Sequence, residues 1–182
     1  MSNNRESKLS YVERLNISVR SIGKIKEIIK RNILNTINAW EKGKNLEKQT
    51  FHIIGAAGVG KTQICLQIAE ELTEITGKTF HSILAKCPVL SKDDFIVPFP
   101  VMGGDKQVTF KMLYSDFVPI EEGSWGIFII DEFSRGEKQL QQLMWQIQNE
   151  QKVHLLDFPK GWWVISIDNP DIHPKTIWTE QS

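Results

Sequence analysis

The stretch Thr50-Phe51-His52-Ile53-Ile54-Gly55-Ala56-Ala57-Gly58-Val59-Gly60-Lys61-Thr62 constrains this chain more than any other. A short apolar run feeds a glycine-rich turn, and the turn closes in Gly-Lys-Thr as a helical pattern begins. Gly55 and Gly60 occupy the outer positions of a G-x-x-x-x-G-K-[ST] phosphate-binding loop. Glycines let the backbone wrap an anion and turn successive N–H groups inward, which few side chains permit. The helix that follows presents its positive end to the same anion. At average residue usage such a string arises by chance in about one chain in a hundred of this length. Its position between a strand pattern and a helix pattern is the context that gives the motif meaning. The loop Gly55, Ala56, Ala57, Gly58, Val59 and Gly60 is therefore expected to hold a nucleotide, with Lys61, Thr62 and Gln63 opening the helix. Lys61 would reach the β- and γ-phosphates, and the Thr62 hydroxyl would bind Mg²⁺.

Around this loop the periodicities alternate. Ile22, Ile25, Ile29, Ile33, Ile37 and Trp40 recur at three- and four-residue steps, predicting a long amphipathic helix from Ser21 to near Gly43. Lys24, Lys26, Lys30 and Arg31 lie on it, but charges beside an apolar stripe usually form its solvated side, and no base-reading motif accompanies them. The spacing then predicts a strand over Phe51–Ile54, a helix over Lys61–Thr76 stopped by Gly77, and a strand over Phe80–Ala85. Residues 91–124 carry Pro98, Pro100, Gly103, Gly104 and Pro119, and read as a surface insertion near the site with a small hairpin that includes Val108-Thr109-Phe110. Gly126–Ile130 is a continuous apolar run of the kind buried on both faces of a parallel sheet. A helix from about Gly136 to Asn149 follows, then an edge strand near Val153–Leu156 and a strand over Trp162–Ile167. Strands alternating with helices give an α/β domain, a three-layer sandwich around a mainly parallel sheet. Residues 1–20 are polar, without pattern, and are expected to fray; 21–182 form the domain.

Ligands of open α/β sheets bind beyond the carboxyl ends of the strands. Two further strands end there in polar signatures, Asp131-Glu132 and Asn169. An Asp-Glu pair after an apolar strand can be only a solvated strand end, but downstream of a phosphate loop it suits a hydrolytic site. Asp131 would help hold Mg²⁺, and Glu132 would orient and deprotonate an attacking water. Asn169 would touch the γ-phosphate or that water, although Asn-Pro is also a frequent turn.

Gly-Ala-Ala-Gly-Val-Gly-Lys-Thr, Ile-Ile-Asp-Glu-Phe-Ser-Arg and Gly-Trp-Trp-Val-Ile-Ser-Ile-Asp-Asn-Pro, taken together, resemble an AAA+ ATPase. The likeness is greatest to the MoxR-like, dynein-related branch, with its Asp-Glu-x-x-Arg after the second strand motif and its Gly-Trp…Asn-Pro segment. It spans about Ser21 to Pro170. The resemblance implies ATP and Mg²⁺ as cofactors, Asp131 and Glu132 as the Walker-B pair, and Asn169 as the first sensor. It also implies an adenine contact at Ile22 and Gly23, which a plain helix start explains equally well. Two departures stand out. Asp171–Ser182 is too short for the helical lid with its second-sensor arginine, so the lid is expected to be absent or truncated. Beyond Arg31 the one arginine is Arg135. Either Arg135 serves as the finger, or a neighbouring polypeptide supplies one, or turnover is weak.

Composition narrows the rest. Lys plus Arg and Asp plus Glu both number 22, so no overall field favours nucleic acid or an acidic membrane. No run is long and apolar enough to span a bilayer, and the N-terminus lacks a signal-peptide core. Cys65 and Cys87 lack metal-ligand spacing and fit reduced thiols of a cytoplasmic protein. The expected function is ATP hydrolysis coupled to remodelling or assembly of a protein partner, and the resemblance to AAA+ proteins implies a ring of identical subunits. The alternative is a nucleotide-binding regulatory module with little turnover. A small-molecule kinase and a GTPase fit less well, since no arginine-rich lid and no Asn-Lys-x-Asp motif is present.

Overall fold

The computed structural model describes residues 20–104 and 107–169. The polar stretch expected to fray lies outside them apart from Arg20, and so does the segment in which the lid expectation falls. Helix α1 (Ile22–Glu41) starts where Ser21 Oγ accepts from the Lys24 amide at 3.4 Å, and it buries Ile29, Ile33 and Ile37. Strand β1 (Phe51–Ile54) leads through the glycine turn into α2 (Lys61–Thr76). Gly77 ends that helix at φ 68°, its N–H on the Thr73 carbonyl at 3.0 Å, a left-handed cap that glycine adopts without cost. Then come β2 (Phe80–Lys86), β3 (Ile96–Met102), β4 (Val108–Tyr114), β5 (Trp125–Asp131), α3 (Lys138–Glu150), β6 (Lys152–Val153), β7 (Leu156–Asp157) and β8 (Gly161–Asp168).

The central sheet has the order β1-β8-β5-β2 with every pairing parallel, as the alternating pattern predicts. The last strand inserts between the first and the fifth. Ile54 thus lies opposite Asp168, and Asp131 opposite Ile167, so three strand ends stand side by side. Helices α1 and α2 cover one face over Ile53, Ile127, Ile129, Trp163, Ile165 and Ile167. Helix α3 covers the other, with Leu140, Leu143, Met144 and Ile147 over Phe128, Ile130, Trp162 and Val164. Ile127 to Ile130 are completely buried, as a central strand between two helical layers requires.

Trp162 and Trp163 point to opposite faces of β8, and both are buried beneath helices: Trp162 is 3% exposed under α3, and Trp163 is fully buried under α1 and α2. Trp163 stacks on Trp40 at 5.6 Å, one member of an aromatic cluster with Phe80 and Trp125. The edge strand expected near Val153 is instead a two-stranded ribbon, β6 with β7, separate from the main sheet. Gln151 and His154 there take φ 54° and 56°, folding the chain back before it can extend. The insertion carries a longer hairpin than predicted, β3 paired antiparallel with β4 from Ile96↔Tyr114 to Met102↔Val108. Its root reaches the core through Phe95 and Ile96, beside α3. On α1, Lys26 and Lys30 each lie 2.6 Å from the Glu71 carboxylate of α2. These two positive charges tie helix to helix. No helix among the described residues is long and apolar enough to cross a membrane.

Candidate functional site

The turn between β1 and α2 has the backbone its glycines predict. Gly58 and Gly60 sit at φ 76° and 88°, a region other residues enter only at a cost. Gly60 caps α2 with no side-chain hydrogen bond, and the first helical bond in the loop runs from the Ile64 amide to the Gly60 carbonyl. The amides of Lys61, Thr62 and Gln63 precede that bond, so the helix start leaves donors free for an anion. Gly55 has Lys61 Cδ 3.5 Å from the place a Cβ would take.

Lys61 is 7% exposed, and its ammonium is fully engaged. It donates to the Gly55 carbonyl at 2.6 Å, the Ala56 carbonyl at 2.8 Å and Asn169 Oδ1 at 2.7 Å. The last contact joins residues 108 apart in sequence, from the start of α2 and the end of β8. Thr62 Oγ1 donates to Asp131 Oδ2 at 2.9 Å, joining α2 to the end of β5. Loop, threonine, aspartate and asparagine therefore occupy one sheet edge. Two hard oxygens within 2.9 Å of each other fit Mg²⁺, which takes one or two protein oxygens and completes its shell with water and phosphate. Among the described residues no three His, Cys, Asp or Glu side chains gather as metal ligands, so an ion here would depend on phosphate oxygens.

Glu132 follows β5 in the left-handed region at φ 52°, and a short 3₁₀ turn, Phe133–Arg135, comes next. Arg135 Nη1 donates to Glu132 Oε1 at 2.9 Å. The arginine thus pairs with the acid three residues earlier. Ile22 is half-buried against the core under α1, and Gly23 faces open space; the adenine role stays with the resemblance.

The sequence pattern passes over two residues that the geometry brings in. Asp168 accepts from the Ser134 amide at 3.2 Å, the Ser134 hydroxyl at 2.7 Å and the Asn169 amide at 2.9 Å, while its carbonyl accepts from Gly55 N at 3.3 Å. Gln141 of α3 steadies the same turn, donating to the Ser134 and Gly136 carbonyls at 3.0 and 2.8 Å. The signal was an acid directly before Asn169; its target, Ser134, lies 34 residues away and has no motif of its own. The thiols take no part: burial, then Asp131, pushes both Cys65 and Cys87 up to about 12. Burial lowers His52 from the usual imidazole value, with Asp168 opposing, and its Nδ1 lies 2.6 Å from Ser166 Oγ.

No protein-family model matches the chain. No curated protein matches it either. Among solved structures, the Thermotoga maritima RuvB Holliday junction branch migration motor aligns at 21% identity over 79% of this chain and 38% of its own, with a TM-score of 0.43. A point mutant of that RuvB gives 19% identity, the same shares and a TM-score of 0.47. A candidate ATPase from Cytophaga hutchinsonii aligns at 17% identity over 97% of this chain and 49% of its own, TM-score 0.45. The chain spans half or less of the length of these proteins, and the likeness goes no further than the fold.

Proposed function

We propose that this chain binds ATP with Mg²⁺ and hydrolyses it as an AAA+ protein of the MoxR-like, dynein-related branch, using the cycle to remodel or assemble a protein partner. One observation carries the reading. Lys61 on Asn169 at 2.7 Å and Thr62 on Asp131 at 2.9 Å draw the start of α2 and the ends of β8 and β5 to one strand edge. Lys61 would exchange its carbonyl partners for phosphate oxygens, and the free amides of α2 would hold the β-phosphate. Thr62 and Asp131 would hold Mg²⁺, which neutralises charge developing on the β- and γ-phosphates. Glu132 would direct and deprotonate the water, and Asn169 would orient it or the γ-phosphate. The finger comes from Arg135 or from a neighbouring subunit or partner. Buried, free Cys65 and Cys87 suit a reducing, cytoplasmic setting.

A second reading, a nucleotide-binding regulatory module with little turnover, is favoured by the Glu132–Arg135 ion pair, which occupies the water-directing carboxylate. Molecular size and ATP hydrolysis measured together, across protein concentrations, separate the two. The hydrolytic reading expects turnover that rises steeply with concentration, and Glu132→Gln retaining bound ATP. Tight ATP binding with no hydrolysis at any concentration leaves the regulatory reading; no binding at all removes both.

A further inference from the structure

Asp168 has a hydrogen-bond pattern that a solvated strand end does not need. A carboxylate only accepts, with about four lone-pair positions to fill. Three are taken by the Ser134 amide, the Ser134 hydroxyl and the Asn169 amide, at 3.2, 2.7 and 2.9 Å. Every one of these donors is neutral. The nearby cation, Lys61, is spent on Asn169 instead. A negative charge one residue from Asn169, which holds the lysine that would meet a polyphosphate, opposes anion binding, so affinity is no reason for an acid at this position.

What the acid does supply is geometry. Ser134 lies two residues beyond Glu132, inside the 3₁₀ turn that Glu132 opens at φ 52°. Holding Ser134 by both its amide and its hydroxyl fixes where that turn sits against the end of β8. The Asp168 carbonyl accepts from Gly55 N at 3.3 Å, which ties the same residue to the first position of the phosphate loop. One continuous path follows: Lys61 to Asn169 Oδ1, across a single peptide to Asp168, through its carboxylate to Ser134, and on to Glu132 with Arg135. Charge-assisted hydrogen bonds suit this task, being shorter and stronger than neutral ones.

We propose that Asp168 is a positioning residue that couples Lys61 and Asn169, which would sense the γ-phosphate, to the turn carrying Glu132. The coupling rests on the ATP reading above, and it names how that site would report nucleotide state to its own general base. Exchange of the Lys61–Asn169 contact for a phosphate oxygen shifts Asn169, and Asp168 carries that shift to Ser134.

The test uses the full chain and two substitutions. Asp168→Asn keeps the shape, removes the charge and leaves one acceptor oxygen; Ser134→Ala removes the hydroxyl, with Ser134→Thr as the conservative control. For Asp168→Asn the expected result is ATP affinity unchanged or up to about threefold tighter, with kcat at least tenfold lower. Ser134→Ala should lower kcat about fivefold, and Ser134→Thr should restore it. Amide hydrogen exchange gives a readout that needs no turnover. A non-hydrolysable ATP analogue with Mg²⁺ should slow exchange over residues 132–136 in the wild type, and that protection should vanish in Asp168→Asn although the analogue still binds. Loss of affinity and stability together, with kcat at saturation unchanged, would mark Asp168 as merely structural and overturn the proposal. So would protection over 132–136 that survives the substitution. A wild type that binds no nucleotide fails differently, sinking the ATP reading and this coupling with it.

Discussion

Lys61→Met isolates the group at the centre of the site. Methionine matches the lysine stem in length and removes the charge and three hydrogen bonds, to the Gly55 and Ala56 carbonyls and to Asn169. Those carbonyls lie in a half-exposed to exposed loop, where water can replace the ammonium, so stability should change by about 1 kcal/mol or less. Nucleotide binding should respond far more. Hydrogen bonds to charged groups contribute about 1.5–3 kcal/mol against about 0.5–1.5 for neutral ones. A unit charge about 4 Å from a phosphate adds roughly 4 kcal/mol at an effective dielectric of about 20. The hydrogen bonds the ammonium gives up and those it gains on phosphate are of the same charged kind and largely cancel, so the charge contribution, weakened by solvent in this half-open loop to about 3 kcal/mol, sets the loss at roughly 150-fold in Kd. Titration calorimetry of ATP with Mg²⁺ against both proteins, beside their melting curves, makes the comparison. Weakening of less than about tenfold at unchanged stability would refute the argument, because the lysine would then not meet phosphate. A large drop in melting temperature with a matching loss of affinity would also refute it, since Lys61 would then serve the fold.

The other predictions test neighbouring links. Arg135→Ala releases Glu132 from a half-exposed ion pair worth about 1 kcal/mol at most, so turnover should rise by no more than about fivefold; a loss of 100-fold or more would instead identify Arg135 as the finger. Gly126→Ala places a Cβ 2.6 Å from the Trp162 ring and 2.7 Å from the His81 carbonyl inside the sheet, which should cost about 3 kcal/mol and lower the melting temperature by roughly 6–12 °C. Normal melting of that variant would mean that β5 does not lie as close to β2 and β8 as described. Lys48 has its ammonium against the Trp163 ring and the Trp162 carbonyl, and burial, then Lys160, lowers it from 10.5 to about 8. Between those values the unfolded chain holds a proton that the folded one has released, so stability rises with pH across the window. The melting temperature of wild type relative to Lys48→Met should therefore increase from pH 8 to pH 10, and a flat difference would contradict the burial of that ammonium.

Much of this protein is local, and local structure was readable from the chain. The step from Ile54 into Gly55, the positive-φ glycines and the helix starting at Lys61 follow from residue types a few positions apart, because turn geometry and helix capping act over that range. The stripe Ile29, Ile33 and Ile37, the two-sided burial of Ile127–Ile130 and the inward face of α3 follow from periodicity in the same way. Candidate site residues were legible as strand ends: Asp131 and Asn169 terminate apolar runs, and Lys61 and Thr62 meet them directly.

Other features depended on which strands became neighbours. That β8 inserts between β1 and β5 cannot be read from β8 itself, since its apolar run would suit any central position. Yet only that order puts Asp168 against Ser134, 34 residues away, and Gly55 against the end of β8. The same order buries both Trp162 and Trp163, because each face of β8 has its own helical layer. The chain by itself determined the phosphate loop, the alternating elements and the acids at the strand ends. The tertiary structure decided how those ends are tied together, because hydrogen bonds between distant segments depend on sheet order, which no local pattern encodes.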